Sequence, residues 1–384
     1  MTAGRPPRVL VDATSVPADR GGVGRYVDGL LGALGRMSTE QIDLAVVAQR
    51  TDAERYSRML VDAEVIAGPA AIAHRPARLA WEQTGLPLVA AQVEADVVHA
   101  PQYTMPLRSG RPVVVTLHDA TVFTDPDLYA SVRGTFFRSA TRTAVRRAAR
   151  IITPSQATKG ELERELSADP ARVDVAPHGV NPVVFHPPAD EEKERVQARL
   201  GLGGAPYLAF LSGMEPRKNV PALVRAWIKA SAGRDAPPVL VLAGGTGGWD
   251  DQIDVALAEV PSGLRVLRPG YLRFQDLAGY LGGTTLFVHS AFSEGFCLPV
   301  LEAMACGAPV LTTEALAVPE VGGDAVAYTA PDSDAIADAL ESLLDDPARR
   351  ADLAARGIAR AAEFTWARSA ELHLASYARA VAEQ

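Results

Sequence analysis

Ser293-Glu294-Gly295-Phe296-Cys297-Leu298-Pro299-Val300-Leu301-Glu302-Ala303-Met304-Ala305-Cys306-Gly307 places two carboxylates around the start of a helix. Glu294 falls in the turn and Glu302 on the helix itself. Pro299 suits the first helical turn, where a missing N–H costs nothing, so amides without helical partners around Gly295 to Leu298 face out of the helix N-terminus. Such an end holds an anion. Carboxylates flanking an anion site suit a ligand with a charged middle and hydroxyls at both ends, as in a nucleotide-sugar. The other reading is an ordinary helix with one surface Glu and one Glu favoured by the dipole.

Outward from this stretch, short β-branched runs alternate with longer amphipathic ones, the pattern of parallel sheets with helical crossovers. The alternation occurs twice. Expected strands in the first half are Arg8–Asp12, Asp43–Val47, Asp96–His99, Val113–Leu117, Ile151–Thr153 and Val173–Val175, with helices near Gly22–Met37, Ala77–Val93, Ser131–Ala149 and Ser155–Leu166. In the second half the strands are Tyr207–Leu211, Val239–Ala243, Leu264–Leu267, Leu286–Val288 and Val310–Leu311. Helices there fall near Pro221–Ala232, Phe274–Leu281, Pro299–Ala305, Asp334–Leu344 and Pro347–Ala362. The fold class is therefore α/β, with two doubly wound domains. The break is placed after Val180, where Asn181-Pro182 and Pro187-Pro188 interrupt regular structure before a charged helix, Glu191–Leu200.

Composition agrees with that size. A chain of 384 residues exceeds one ordinary core. A formal charge of −8 argues against nonspecific nucleic-acid binding, which needs a basic face, so no nucleic-acid partner is expected. Cys297 and Cys306 are the two cysteines; neither has a Cys or His partner at ligand spacing, so both read as reduced packing residues and no Cys-based metal site is expected. No apolar leader core and no run approaching ~18 apolar residues is present, giving a cytoplasmic expectation, at most peripheral at the inner face of a membrane.

In doubly wound sheets ligands collect at the carboxyl ends of strands. After the first strand, Asp19-Arg20-Gly21-Gly22-Val23-Gly24-Arg25 feeds a helix: either a close approach to phosphate or sugar, or a tight strand-to-helix turn. His118-Asp119 ends Val113–Leu117, where a satisfied structural histidine is the commoner explanation. Asp125-Pro126-Asp127 forms a DxD triplet, discounted as a metal site because a proline loop holds it and the nucleotide signals lie in the other half. After Tyr207–Leu211, Ser212-Gly213-Met214-Glu215-Pro216-Arg217-Lys218-Asn219 puts two cations at a helix start, which a shared anion such as a diphosphate would explain; a solvated basic loop is the alternative. Gly244-Gly245-Thr246-Gly247-Gly248 permits close ligand approach, and Gly270-Tyr271-Leu272 could line a base pocket.

The order of these features resembles the retaining glycosyltransferases of family 4, group 1, with the GT-B fold. The likeness runs nearly full length, through Gly21-Gly22-Val23-Gly24-Arg25-Tyr26, Trp81-Glu82-Gln83, Asp96-Val97-Val98-His99-Ala100-Pro101, His118-Asp119, Ile151-Ile152-Thr153-Pro154-Ser155 and Glu215-Pro216-Arg217-Lys218-Asn219. In the opening stretch the family has two glutamates separated by seven residues, which Glu294 and Glu302 satisfy. Phe364-Thr365-Trp366 and the helix beyond are similar to the family's tail, which returns to the first domain.

The resemblance implies two Rossmann-like domains facing across a cleft: residues 1–180 for the acceptor, joined by 364–384, and residues 181–363 for the donor. It implies transfer of a hexose from a nucleoside-diphosphate sugar to a hydroxyl of a glycan, glycolipid or small molecule with retention of configuration. By family frequency the donor is GDP-mannose, with UDP- and dTDP-sugars next. Glu302 would bind ribose hydroxyls and Glu294 those of the sugar, assisted by amides of Gly295, Phe296 and Leu298. Arg217 and Lys218 would hold the diphosphate, with no metal and no cofactor required. Gly213, Gly244 and Tyr271 join this donor set; His118 would face the sugar, and Gly21 and Gly22 the β-phosphate and acceptor. The catalytic set is then His118, Glu294, Arg217 and Lys218.

Two departures stand out: Cys297 replaces a frequent Gly, and Ser212-Gly213 stands where many mannosyl relatives carry an Arg. A basic helix with aromatics, Ser131 through Arg138, Arg142, Arg146, Arg147 and Arg150, suits anionic lipid and hence a lipid-linked acceptor; a solvated face with inward Phe residues is the other reading. Alternatives of other classes are a nucleotide-sugar epimerase of the same architecture and a noncatalytic sugar-binding partner.

Overall fold

A computed structural model describes residues 5–16, 20–126, 132–245 and 250–383. The chain divides into two compact units, Met1–Gly179 with Thr365–Gln384, and Val180–Phe364. Each is a parallel sheet covered by helices.

The first sheet holds β1 (Arg8–Asp12), β2 (Asp43–Ala48), β3 (Glu64–Ala67), β4 (Val97–Ala100), β5 (Val113–Thr116), β6 (Arg150–Thr153) and β7 (Val173–Val175), in the order β3-β2-β1-β4-β5-β6-β7. All its pairs are parallel, with Val9 opposite Leu44 on one side and Val97 on the other. Parallel strands are buried on both faces, which is why β2 (DLAVVA) and β5 (VVVT) read as continuous apolar runs. Their side chains feed two cores. One contains Val9, Val11, Leu30, Val46 and Val97, and the other Leu10, Val47, Leu86, Val98 and Val115.

The C-terminal helix Trp366–Ala382 belongs to this unit, burying Trp366, Ala370, His373 and Tyr377. Thr365 caps it by accepting from the Arg368 amide. The backbone at Gly179 is pressed against Trp366: a Cβ there would lie 2.2 Å from the Trp366 nitrogen.

The second sheet is β8 (Tyr207–Leu211), β9 (Val239–Ala243), β10 (Val266–Gly270), β11 (Leu286–His289), β12 (Val310–Thr313) and β13 (Ala327–Thr329), ordered β10-β9-β8-β11-β12-β13. Both sheets therefore reverse winding direction, the first between β1 and β4, the second between β8 and β11. Such a switch point opens a crevice outside the carboxyl ends of the two strands, where loops diverge.

Several expected boundaries move. The third expected strand of the second half, Leu264–Leu267, runs instead from Val266 to Gly270. Two edge strands, β3 and β13, and the helices Arg50–Met59, Asp250–Ala258 and Val318–Gly322 lie outside the expected set. Arg150, read as part of a basic helix face, is the first residue of β6 and is buried. It pairs with Asp174 at 2.7 Å and Glu383 at 3.0 Å, tying β6 to β7 and the chain end. A buried guanidinium needs such partners.

Candidate functional site

The switch point of the second sheet carries the charged residues singled out in sequence. After β8 the chain makes a short 3-10 turn, Pro216–Lys218, and Asn219 adopts a left-handed conformation (φ 55°) before the helix Val220–Ser231. After β11, Ser290 donates to the Lys218 carbonyl at 2.9 Å and the Phe292 amide to the Arg217 carbonyl at 2.8 Å, lacing the two loops together. That lacing brings residues 76 positions apart into contact.

Glu294 is the centre of the cluster. Lys218 Nζ donates to its Oε1, and Arg217 Nη1 donates to its Oε2 at 2.8 Å. Arg217 also reaches Glu215 at 2.9 Å and the Ser293 carbonyl at 3.3 Å. Glu294 and Lys218 are only 5% and 4% exposed. Burial pushes the Glu294 carboxyl up, but the Lys218 and Arg217 charges and a bond from His289 outweigh it and hold it well below the usual carboxylate range. Glu294 and the two cations, assigned to the donor sugar and the diphosphate in the sequence, form one ion-paired group in this structure. A buried carboxylate requires countercharge, and the neighbouring loop supplies it.

His289, absent from the residues singled out in sequence, completes the group. Its Nε2 lies 2.7 Å from Glu294 Oε1. An ionised carboxylate only accepts, so Nε2 carries the proton. The available signal was a polar residue ending the apolar strand Leu286-Phe287-Val288, five positions before Glu294. His289, Glu294 and Cys297 offer donor atoms within 4.8 Å of one another, a spacing that a cation could bridge. The positive charge at that carboxylate is supplied by Lys218 and Arg217.

The helix Leu298–Ala305 begins as expected, with Pro299 in its first turn and no side chain capping its end. Cys297 sits at its N-cap with φ 75° and ψ 62°, the left-handed region that favours glycine. Its thiol faces the core, 4% exposed, and burial pushes its pKa far up. Phe296 turns its ring onto Phe364, 5.9 Å between centroids, so any part it takes in binding is through its backbone. Leu298 joins the same core, and Glu302 is 2% exposed on the helix.

Gly244, expected to admit a ligand, is required by the protein itself. With φ 132°, a Cβ there would stand 1.8 Å from the Ser212 carbonyl oxygen. Gly245 makes room for Tyr271, whose ring would lie 2.3–2.6 Å from an added Cβ. Tyr271 remains 61% exposed at the end of β10, presenting an aromatic face beside β9. Gly213 has open surroundings apart from Glu215. Thr246, Gly247 and Gly248 lie outside the described residues.

In the first unit, the loops after β1, β4 and β5 gather around a different kind of network. Gly21 is the N-cap of the helix Gly22–Leu34, and a Cβ on Gly22 would meet nothing within 4 Å. His118 is half-buried, its Nε2 donating to the Pro101 carbonyl at 2.8 Å; burial lowers its pKa, so the ring is neutral. Its edge meets the Tyr26 ring at 4.9 Å.

Beneath it runs a directed chain of hydrogen bonds. Its sense is fixed at one end, where His373 Nδ1 must donate to the Ser369 carbonyl at 2.7 Å. His373 Nε2 then accepts from Tyr26 at 2.8 Å, Tyr26 accepts from Thr116 at 2.7 Å, and Thr116 accepts from His99 Nε2 at 2.9 Å. His99 Nδ1 accepts from Tyr377 at 2.9 Å. Each histidine is neutral in this chain, and burial depresses His99 well below its ordinary value and His373 to about 4. Of the expected Trp81-Glu82-Gln83, Glu82 is buried and Trp81 half-buried, while Gln83 is exposed. Glu82 binds Arg78 at 3.1 Å and Thr104, and Gln83 donates to the Met105 carbonyl at 2.9 Å.

Of the DxD triplet, Asp125 meets Thr124 at 3.0 Å, and Asp127 lies outside the described residues. Ser131 is likewise outside. On the basic helix, now Val132–Arg147, Arg142, Arg146 and Arg147 are exposed. Arg138 turns to the Val122 carbonyl and Thr135, and Arg75 covers the half-buried Phe136 and Phe137 rings at 5.1 and 5.7 Å. No helix among the described residues is long and apolar enough to cross a membrane.

Comparison with known proteins agrees with both units. The family described as "Glycosyl transferases group 1" matches residues 192–360, and "Glycosyltransferase Family 4" matches residues 20–184. The chain is 32% identical to the O-antigen chain mannosyltransferase B of Escherichia coli over 278 residues, 70% of this chain and 71% of that protein. It is 35% identical to the D-inositol 3-phosphate glycosyltransferase of Mycolicibacterium paratuberculosis over 225 residues, covering 56% and 49%. Among solved structures, sucrose-phosphate synthase from Thermosynechococcus elongatus matches with a TM-score of 0.77 at 22% identity, covering 99% of this chain and 100% of the other. Anabaena HepE in complex with UDP-glucose gives 0.75 at 19%, covering 96% and 98%. Those two likenesses speak to the fold.

Proposed function

The chain belongs to the group 1, family 4 glycosyltransferases with the GT-B fold, and on that premise we propose that it transfers a hexose from a nucleoside-diphosphate sugar to a hydroxyl acceptor with retention of anomeric configuration. The observation that carries this reading is the Lys218–Glu294–Arg217 cluster at the switch point of the second sheet. Two cations gathered beside an uncapped helix end suit a diphosphate. As the sugar–phosphate bond breaks, charge grows on the leaving diphosphate, and fixed cations stabilise that state more than the ground state. Glu302 takes the ribose hydroxyls and Tyr271 lies against the base. No metal or cofactor is invoked, because the side chains carry the compensating charge.

Retention follows the same-face course, in which the leaving phosphate takes the acceptor proton. A double displacement needs an unencumbered carboxylate nucleophile. Glu294 is a poor one: both of its oxygens are held by cations. His118, neutral and anchored to the Pro101 carbonyl, serves the sugar as a hydrogen-bonding group. The first unit carries the acceptor site. GDP-mannose is the first donor to try, since a mannosyltransferase is among the relatives; the UDP-glucose bound by HepE makes UDP-sugars the second.

The test is a panel of nucleoside-diphosphate sugars, ranked by thermal stabilisation, about 2.7 kcal/mol for a ligand at 100 times its Kd. The stabilising donor is then incubated with hydroxyl acceptors and the product read by NMR. The expected product keeps the anomeric configuration of the donor. A new sugar epimer formed without acceptor would instead support an epimerase, and binding without turnover a noncatalytic partner.

A lipid-linked acceptor is proposed from the exposed Arg142, Arg146 and Arg147. The protein is expected to float with anionic vesicles at low salt and to lose that recovery in the triple Ala variant. No recovery of the native protein removes the proposal.

A further inference from the structure

We propose that His289 is a positioning residue for Glu294, fixing that carboxylate in place when a bound diphosphate draws Lys218 and Arg217 toward itself. This rests on the donor reading above and adds a residue to it.

The argument starts from competition for the two cations. Lys218 and Arg217 are paired to Glu294, yet their proposed task is to meet a more highly charged diphosphate. Whatever they give to the phosphate they withdraw from Glu294. A carboxylate 5% exposed cannot turn to water for replacement, and without another donor it would swing or take up a proton. Either change would spoil its use as an acceptor for sugar hydroxyls. His289 Nε2, 2.7 Å from Oε1, is the donor that stays.

It stays because it has no freedom to leave. Lysine and arginine sit on flexible stems, whereas His289 ends β11, a strand paired on one side with β8 and on the other with β12. Its ring lies nearly parallel to Phe210 and Phe287, at 6.1 and 6.5 Å and 7° and 10°. It is wholly buried.

The position is also costly for a purely structural residue. Among the described residues, His289 Nδ1 has no hydrogen-bond partner, so a lone pair is buried unsatisfied. A leucine or phenylalanine would fill the same apolar slot without that cost. The histidine's return on its placement is the single bond to Glu294.

The experiment compares His289→Leu, which removes the donor at similar volume, with His289→Gln, whose amide N–H can reach the place of Nε2. Each is assayed for nucleoside-diphosphate affinity by calorimetry and for kcat and KM with the donor that wild type uses. His289→Leu is expected to keep the nucleoside-diphosphate Kd within about three-fold while kcat falls about 100-fold, the scale of a misplaced reacting group. His289→Gln should recover most of that loss. A kcat for His289→Leu within about three-fold of wild type overturns the proposal, and so does an equal loss of nucleotide binding in both variants. Should the variants not fold, the wild type decides. Its His289 Nε2–H resonance must stay hydrogen-bonded when nucleoside diphosphate saturates the site, and its loss overturns the proposal. If wild type binds no nucleoside diphosphate, the donor reading itself falls; if wild type binds and transfers and His289→Leu matches it, only this inference does.

Discussion

Replacing Lys218 by Met should destabilise the second unit by about 3 kcal/mol, because it leaves Glu294 buried with part of its countercharge removed. Removing one partner of a buried pair is costly, whereas removing both charges is often close to neutral. Lys218→Met combined with Glu294→Gln should therefore recover at least about 2 kcal/mol of the loss in chemical denaturation. Arg217 retains Glu215 as a partner in that double variant. Recovery of stability without recovery of transfer would separate the two roles of the cluster. A single variant as stable as wild type would show that the ion pair is not what holds this loop pair together.

Acidification should act mainly on the first unit. Burial depresses His99, His118 and His178, and takes His373 to about 4, whereas an unfolded histidine titrates near 6.5. Below the unfolded value the unfolded chain binds more protons than the folded one, so stability is fully present above about pH 6.5 and is lost as pH falls from there toward the depressed folded values. His373, at about 4 in the folded state, contributes about 1 kcal/mol per pH unit in that window, and the others act in the same direction.

Glu161 works in the opposite direction. Burial, with help from Asp119, raises it to about 7, so the folded state takes up its proton first and gains stability as pH drops from there toward its unfolded value. The four histidines outweigh the one carboxylate, so stability falls on balance as pH drops from 6.5 to 5.5. Asp12 and Glu82, also raised by burial, soften the loss further down.

Protonation also breaks the directed chain, since His99 Nδ1 and His373 Nε2 are acceptors in it. Hydrogen exchange of peptides from β4, β5 and the C-terminal helix should rise together over this pH range, ahead of peptides from β8 and β11. Glu161→Gln should steepen the effect. Equal protection at pH 7.5 and 5.5 would refute the assignment of four neutral histidines.

The parallel sheets were legible in the sequence wherever strands are covered on both faces. Tyr207-Leu208-Ala209-Phe210-Leu211 and Val239-Leu240-Val241-Leu242-Ala243 could be read to the residue. Edge strands carry half the signal: Glu64–Ala67 is exposed at both ends, and Ala327–Thr329 is three residues long. The helix Arg50–Met59 buries only Tyr56, so its apolar stripe is too thin to mark it.

The site divides in the same way. Glu294, Glu302, Arg217 and Lys218 stood out through local chemistry, but their pairing depends on which strands the topology makes neighbours. Nothing along the chain shows that the loops after β8 and β11 meet. His289 was hidden for the converse reason, as the last residue of a strand whose burial explains the three before it. Gly244 is ambiguous along the chain, because a glycine needed for a backbone contact looks identical in sequence to one needed for a ligand.

The central claim is that the Lys218–Glu294–Arg217 cluster is the diphosphate site. It is tested most directly by calorimetric titration of the nucleoside diphosphate that binds wild type into the folded Lys218→Met/Glu294→Gln variant. The expected result is a Kd weaker by about 30-fold, the loss of one charge-assisted contact of about 2 kcal/mol, in a protein of native stability. An unchanged Kd in that variant would contradict the account.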